Sequence, residues 1–191
     1  MARASSRLSA ADWAQAGFEA LLEEGLAGVA VERVAARLAA TKGSFYWHFA
    51  NRDALVAAVL DLWRAETEEI INTVDETLDP VQRMRRLFDL VIAEIPTAHA
   101  EIDLLGNTAH PLVAQAVDRV SWRRIDYMTK TLRQAGLSPA AAADAAVHSY
   151  ALWIGLLQLQ LALPGTVPDG RARKRFQRAT GAMLEHMLPA D

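Results

Sequence analysis

The sequence predicts an all-α protein, with a three-helix helix-turn-helix head at the N-terminus, a helical body after it and about nine helices together. Three observations carry this expectation. Apolar residues recur at spacings of three and four through most of the chain. No segment alternates apolar and polar residues in the manner of a half-buried strand. Proline and glycine clusters punctuate the periodic stretches, as helix starts and stops require.

In chain order, Ser9 and Asp12 form a capping-box-like pair that opens the first helix. Trp13, Phe18, Leu21 and Leu22 give it an apolar face, and Gly25 and Gly28 mark its exit. Val31, Val34, Ala35 and Leu38 form one face of a second helix, and Ala39-Ala40 separates it from Thr41, which caps a third read through Phe49. Asn51 caps a long fourth helix with Leu55, Val59, Leu62, Trp63, Ile70 and Val74 along one side. Asp79-Pro80 starts a fifth, because proline is tolerated in a first helical turn, and Pro96 breaks it. A weaker helical piece covers 98–105, a turn covers 106–111, and a seventh helix runs to Ala135. Gly136 to Pro139 breaks the chain before an eighth, which ends near Leu163. Pro164-Gly165 and Pro168-Asp169-Gly170 bound a loop before a last helix over 171–188. The boundary is expected within the fourth helix. It leaves a DNA-binding domain over 1–50 and a regulatory, ligand-binding and dimerisation domain over 51–191.

The segment from Thr41 to Phe49 carries the most information. Phe45 and Phe49 are four apart, so they share one face and can anchor the helix to a core. Gly43, Ser44 and Trp47 lie opposite, with Lys42, Tyr46 and His48 on the flanks. These offer an ammonium, hydroxyls, an imidazole and an indole N–H, donors suited to phosphate oxygens and base edges. Arg33, Arg37, Lys42 and Arg52 fall in a window without an acidic residue, although the whole chain carries a net charge of -3. Two short helices joined by three to four residues fit a helix-turn-helix whose second helix enters the major groove. An ordinary pair of core helices with a basic solvated face fits the same spacing.

Val34-Ala35, the run Thr41 to Phe49, and Asn51-Arg52-Asp53-Ala54-Leu55 together resemble the DNA-binding signature of the tetracycline-repressor (TetR) family. The resemblance covers roughly residues 7 to 60. It departs from the family at two places: Ala39 stands at a turn position usually held by Gly, and Ala30 at a cap position usually held by Thr or Ser. Ala39 is expected to strain the turn, and Ala30 forgoes a cap worth about 1 kcal/mol. The resemblance implies a repressor that binds a palindromic double-stranded DNA operator as a homodimer and is released by a small-molecule effector; a helical DNA-binding regulator without a small-molecule ligand is the alternative, and a helical enzyme a distant third. The candidate DNA-contacting set is Arg3, Arg7, Thr41, Lys42, Gly43, Ser44, Tyr46, Trp47, His48 and Arg52.

In the eighth helix Ser149, Leu152, Leu156, Leu159 and Leu163 form one stripe, while Tyr150, Trp153, Ile154, Leu157 and Leu161 form another. A helix apolar nearly all round is buried nearly all round. That pattern fits either a monomeric core helix or a four-helix dimer interface, and the resemblance favours the dimer. The expected interface is Leu152, Leu156, Leu159, Leu163, Phe176, Met183 and Met187. Large residues on the body helices also suit a ligand pocket, or simply a core. The expected lining is Trp63, Phe88, Trp122, Tyr127, Tyr150 and Trp153, with His99, Asp103 and Asn107 supplying polar groups.

Other chemistry finds little support. The chain has no cysteine, which excludes disulfides and thiolate metal sites and fits a reducing cytoplasm. The histidines share no metal-ligand spacing, and no phosphate-cradling glycine loop or nucleophile motif is present, so no metal, cofactor or enzymatic activity is expected. Glu66, Glu68 and Glu69 read as a solvated helix face. Met1 to Arg7 leads into no long apolar run, so no secretory signal is expected. The stretch from Tyr150 to Leu163 is short for a bilayer and contains Gln158 and Gln160, so no membrane partner is expected either.

Overall fold

The computed structural model describes residues 8–76, 79–95, 99–168 and 170–185. They form α1 (Ala10–Glu24), a 3-10 turn (Leu26–Gly28), α2 (Val31–Arg37), α3 (Lys42–Phe45), α4 (Arg52–Asp75), α5 (Pro80–Glu94), α6 (His99–Gly106), α7 (Pro111–Gln134), α8 (Pro139–Ala162) and α9 (Gly170–Glu185), with no strand among the described residues. Arg3, Arg7 and Met187 lie outside the described residues.

The helix starts follow from side-chain chemistry. Ser9 and Asp12 close a reciprocal capping box on α1. Asn51 Oδ1 accepts from the Ala54 N–H at 2.9 Å, and Asp79 Oδ1 accepts from the Gln82 N–H at 2.9 Å. Pro80, Pro111 and Pro139 occupy first turns, where no intrahelical N–H is lost. α2 is the exception, since Ala30 stands at its N-cap and makes no side-chain hydrogen bond. Its other end leaves through Ala39, which has φ 49°, a left-handed conformation that glycine adopts more readily.

The third helix is shorter than its sequence suggests. α3 ends at Phe45, and the chain continues in tight turns, with the His48 N–H on the Phe45 carbonyl at 2.9 Å. The run of aromatics from Phe45 to Phe49 explains this, because each loses χ1 freedom against a preceding helical turn. Phe49 still lands beside Phe45, with ring centroids 5.6 Å apart.

α1 packs on α4, and Gly17 permits the close approach: a Cβ there would meet Val59 at 2.8 Å. The head core joins Trp13, Phe18, Leu21, Val34, Phe45, Leu55 and Val59, with the Trp13 and Phe45 rings edge to face at 5.4 Å. This core does not stop at residue 50. It continues through Trp63 into Ala100 and Leu104 of α6 and Val113, Val117 and Val120 of α7. A second core joins α5, α7 and α8 through Met84, Phe88, Ile92, Met128, Leu132, Ala146 and Leu157.

α8 corrects two expectations. With its alanine-rich first half it is 24 residues long and apolar enough, by length and composition, to cross a membrane; it packs on α7, and a third of its most apolar window is buried. Its leucine stripe also divides. Leu156 is buried in the chain's own second core, with Leu152 and Phe176 packed against it, while Leu159, Leu163 and Met183 are exposed.

Candidate nucleic-acid interface and cavity

The interface is assembled by a cap, an anchor and an exposed edge. Thr41 Oγ1 accepts from the Ser44 N–H at 3.2 Å, and the Ser44 hydroxyl donates back to the Thr41 carbonyl at 2.8 Å. Ser44 therefore presents acceptor lone pairs outward, its proton being committed. Phe45 is fully buried. On that base Tyr46 and Trp47 stand 62% and 80% exposed, Gly43 leaves the backbone open, and His48 is half-buried. A large aromatic so exposed beside polar donors is arranged for a partner surface.

The charges differ from the linear picture. Arg33 pairs with Glu24, and Arg37 bonds Glu23 at 2.5 Å and Glu24 at 2.8 Å. Lys42 pairs with Glu32 of α2. The hydrogen bonds from Arg37 hold the carboxyls of Glu23 and Glu24 below their usual range. The acids that α1 and α2 bring up lie outside the sequence window that looked purely basic. Arg52 is committed as well: its Nε donates to the Val29 carbonyl at 2.8 Å and its Nη2 to the Leu26 carbonyl at 2.9 Å. It braces the start of α4 against the turn below α1.

Behind the head, body residues together with Leu22 and Glu23 of α1 line an open-sided cavity of about 900 Å³. Trp63, Phe88, His99, Tyr127, Tyr150 and Trp153 from the expected lining all face it. Three others do not. Trp122 is 62% exposed on the outside of α7. The Asp103 carboxylate accepts from the Leu26 N–H at 2.6 Å and stitches α6 to the head, while Asn107 donates to the Asp103 carbonyl at 2.7 Å and closes the end of α6. Gly25, at φ 69°, makes room for that carboxylate, since a Cβ would sit 2.6 Å from it.

The polar centre of the cavity was not foreseen. Arg124 bonds Glu101 at 2.8 Å and Thr67 at 3.0 Å, and Glu101 also accepts from the Trp63 indole at 3.1 Å. The Arg124 guanidinium lies 5.6 Å from the Trp63 ring and 4.8 Å from the Trp153 ring, within cation–π range of both. Burial pushes the Tyr150 hydroxyl up from its ordinary range, and Tyr150 shares a hydrogen bond with Ser121 at 2.9 Å. Burial, then the hydrogen bond to Asp75, does the same to Tyr127. Nor are the acids of α4 merely solvated: Glu68 takes Arg123 in two bonds of 2.8 Å, and Glu66 and Glu69 line the cavity. One signal for Arg124 was present in the sequence, because it falls in helical register with Val117, Val120, Tyr127, Met128 and Thr131.

Residues 14–59 match the model for bacterial regulatory proteins of the tetR family. That match covers the head and the start of α4. A HTH-type transcriptional repressor, DhaR, from Mycobacterium sp. (strain GP1) is 31% identical over 93 residues, covering 48% of this chain and 46% of the repressor. The chain thus aligns with less than half the length of that relative. Among solved structures, a transcriptional regulator from Rhodococcus sp. Rha1 superimposes with TM-score 0.79 at 20% identity, over 94% of this chain and 96% of the other. The reduced form of Escherichia coli NemR gives TM-score 0.75 at 15% identity, over 95% and 97%. At such identities the likeness establishes the fold, and the all-α tetR-type architecture holds across body as well as head.

Proposed function

We propose that the protein is a DNA-binding transcriptional regulator, a cytoplasmic repressor that occupies a palindromic operator as a homodimer and leaves it when a small molecule enters the body. Residues 1–50 read the operator, and residues 51–191 bind the effector and hold the dimer. The observation that carries this reading is α3. Its cap and buried Phe45 fix a four-residue helix, and Gly43 on it and Tyr46 and Trp47 in the turn that follows are offered to a partner. Thr41, Ser44 and His48 complete the face, with Lys42 beside it. The family of the head and the repressor relative support the same reading. A dimer supplies two such faces one DNA turn apart. The exposed Leu159, Leu163 and Met183 are the surface we assign to the second copy. The cavity supports the effector, and α4 joins the two functions by running from Asn51 at the head to Trp63 at the cavity wall.

Selection on random duplexes should return an inverted repeat. Tyr46→Ala with His48→Ala should then lose operator affinity while the helical circular dichroism and the dimer persist. Unaltered affinity in that double variant would sink the assignment. Leu159→Glu with Leu163→Glu should sediment as a monomer and lose the operator although α3 is intact; a persisting dimer would place the interface elsewhere. Coupling is reciprocal, so an effector that weakens operator binding binds the DNA-bound dimer more weakly by the same factor.

A further inference from the structure

We propose that the effector is an uncharged, mostly apolar molecule carrying a hydrogen-bond-accepting oxygen of the carbonyl type, received by Ser149 and Trp153 on one turn of α8. This rests on reading the cavity as the effector site. The buried Ser149 Oγ and Trp153 Nε1 have no hydrogen-bond partner among the described residues, and both residues line the cavity. Being four apart, they share a face of α8 one turn from each other. Trp13, Arg83 and His110 also hold unpartnered atoms, but none of those three lines the cavity.

Several other polar side chains of the wall, the buried Glu101 among them, already have partners. Trp63 and Arg124 are met by Glu101, Arg124 also by Thr67, Tyr127 by Asp75 and Tyr150 by Ser121. What remains open is an indole N–H, which can only donate, and a hydroxyl, which can donate too. Their common complement is an acceptor oxygen. Charge narrows the class further. Arg124 lies 4.8 Å from the Trp153 ring, so a cation docked on this turn would face a guanidinium and offer the indole nothing. An anion gains little from Arg124, whose charge Glu101 meets at 2.8 Å, and it would face the cavity carboxylate of Glu69 as well. The remaining walls, among them Ile70, Leu87, Phe88, Leu90 and Val91, suit a flat apolar body.

Four naphthalenes of similar size separate these possibilities by calorimetry on the full-length protein: 2-acetylnaphthalene, 2-ethylnaphthalene, 2-naphthoate and (2-naphthylmethyl)trimethylammonium. The ketone should bind tightest. Removing its oxygen should weaken binding about three- to tenfold, as one net hydrogen bond does, and the two ions should bind at least about tenfold more weakly. Ser149→Ala and Trp153→Phe should each lower ketone affinity about three- to tenfold and leave the hydrocarbon within roughly twofold. Tightest binding by either ion overturns the proposal. So does an equal loss for ketone and hydrocarbon in both variants, or binding by none of the four. Operator binding by the ligand-free protein is measured on the same preparations. Its absence strikes the regulator reading itself, whereas its presence beside any of those results strikes only the ligand class.

Discussion

The head brings Trp13, Phe45, Leu55 and Val59 together in an interior with fully buried side chains, and it keeps its ion pairs at the surface. The body leaves a cavity of about 900 Å³ and holds the Glu101–Arg124 pair against it. The difference fits the two tasks we propose for them. A reading surface must hold its donors in a fixed place, which a filled aromatic core does. A site that receives a molecule must keep space and buried polar groups in reserve, at a cost to its own stability.

The largest effect should come from emptying the filled interior. Phe45→Ala removes the anchor beneath Tyr46 and Trp47 and should cost about 3–5 kcal/mol in thermal or denaturant unfolding, with loss of operator binding. Phe88→Ala, in the body, removes a ring that already faces open space on one side. It should cost less, because fewer contacts are forfeited. Equal losses would erase the distinction between a packed head and a hollow body.

Next comes charge. Glu101→Leu strands the Arg124 guanidinium in a largely buried position and should cost about 3 kcal/mol or more. Adding Arg124→Met should restore much of that loss, since an apolar pair of similar volume tolerates the same site. Arg37→Met in the head, where Glu23 and Glu24 remain solvated, should barely move the melt. A double variant as unstable as Glu101→Leu alone would show that the pair contributes through packing, not through charge.

The two regions were unequally legible in the sequence. Local rules wrote the head: the Ser9–Asp12 box, the Thr41 and Asn51 caps and the Phe45 anchor are each set by residues within a few positions of one another. Even there, α1 supplies Glu23 and Glu24 to Arg37 from 14 and 13 residues away, so a local charge count misled. The body's site depends on longer reach. Arg124 meets Thr67 across 57 residues, and Trp63 meets Glu101 across 38. The aromatic walls could be named because bulky apolar residues on packed helices converge. Trp122 and Asp103 went astray because helical periodicity alone does not say which flank of α7 is covered, nor that α6 would turn Asp103 toward the α1 exit.

The smallest predicted effects concern α2, which is poorly finished at both ends. Ala30 offers no side-chain acceptor to its first turn. At the other end the Ala40 N–H bonds the Ala35 carbonyl at 2.9 Å, a closing bond that requires the left-handed Ala39. Ala39→Gly relieves the Cβ strain but adds freedom to the unfolded chain, leaving a net gain of about 0.5–1 kcal/mol. Ala30→Ser restores a cap and should add about 1 kcal/mol. The sites lie at opposite ends of a seven-residue helix, so the double variant should gain nearly the sum. Denaturant midpoints measure this. Operator affinity should stay put, because neither methyl belongs to the reading face. A loss of stability in Ala39→Gly would mean that the unfolded chain, and not the strained turn, dominates at this position.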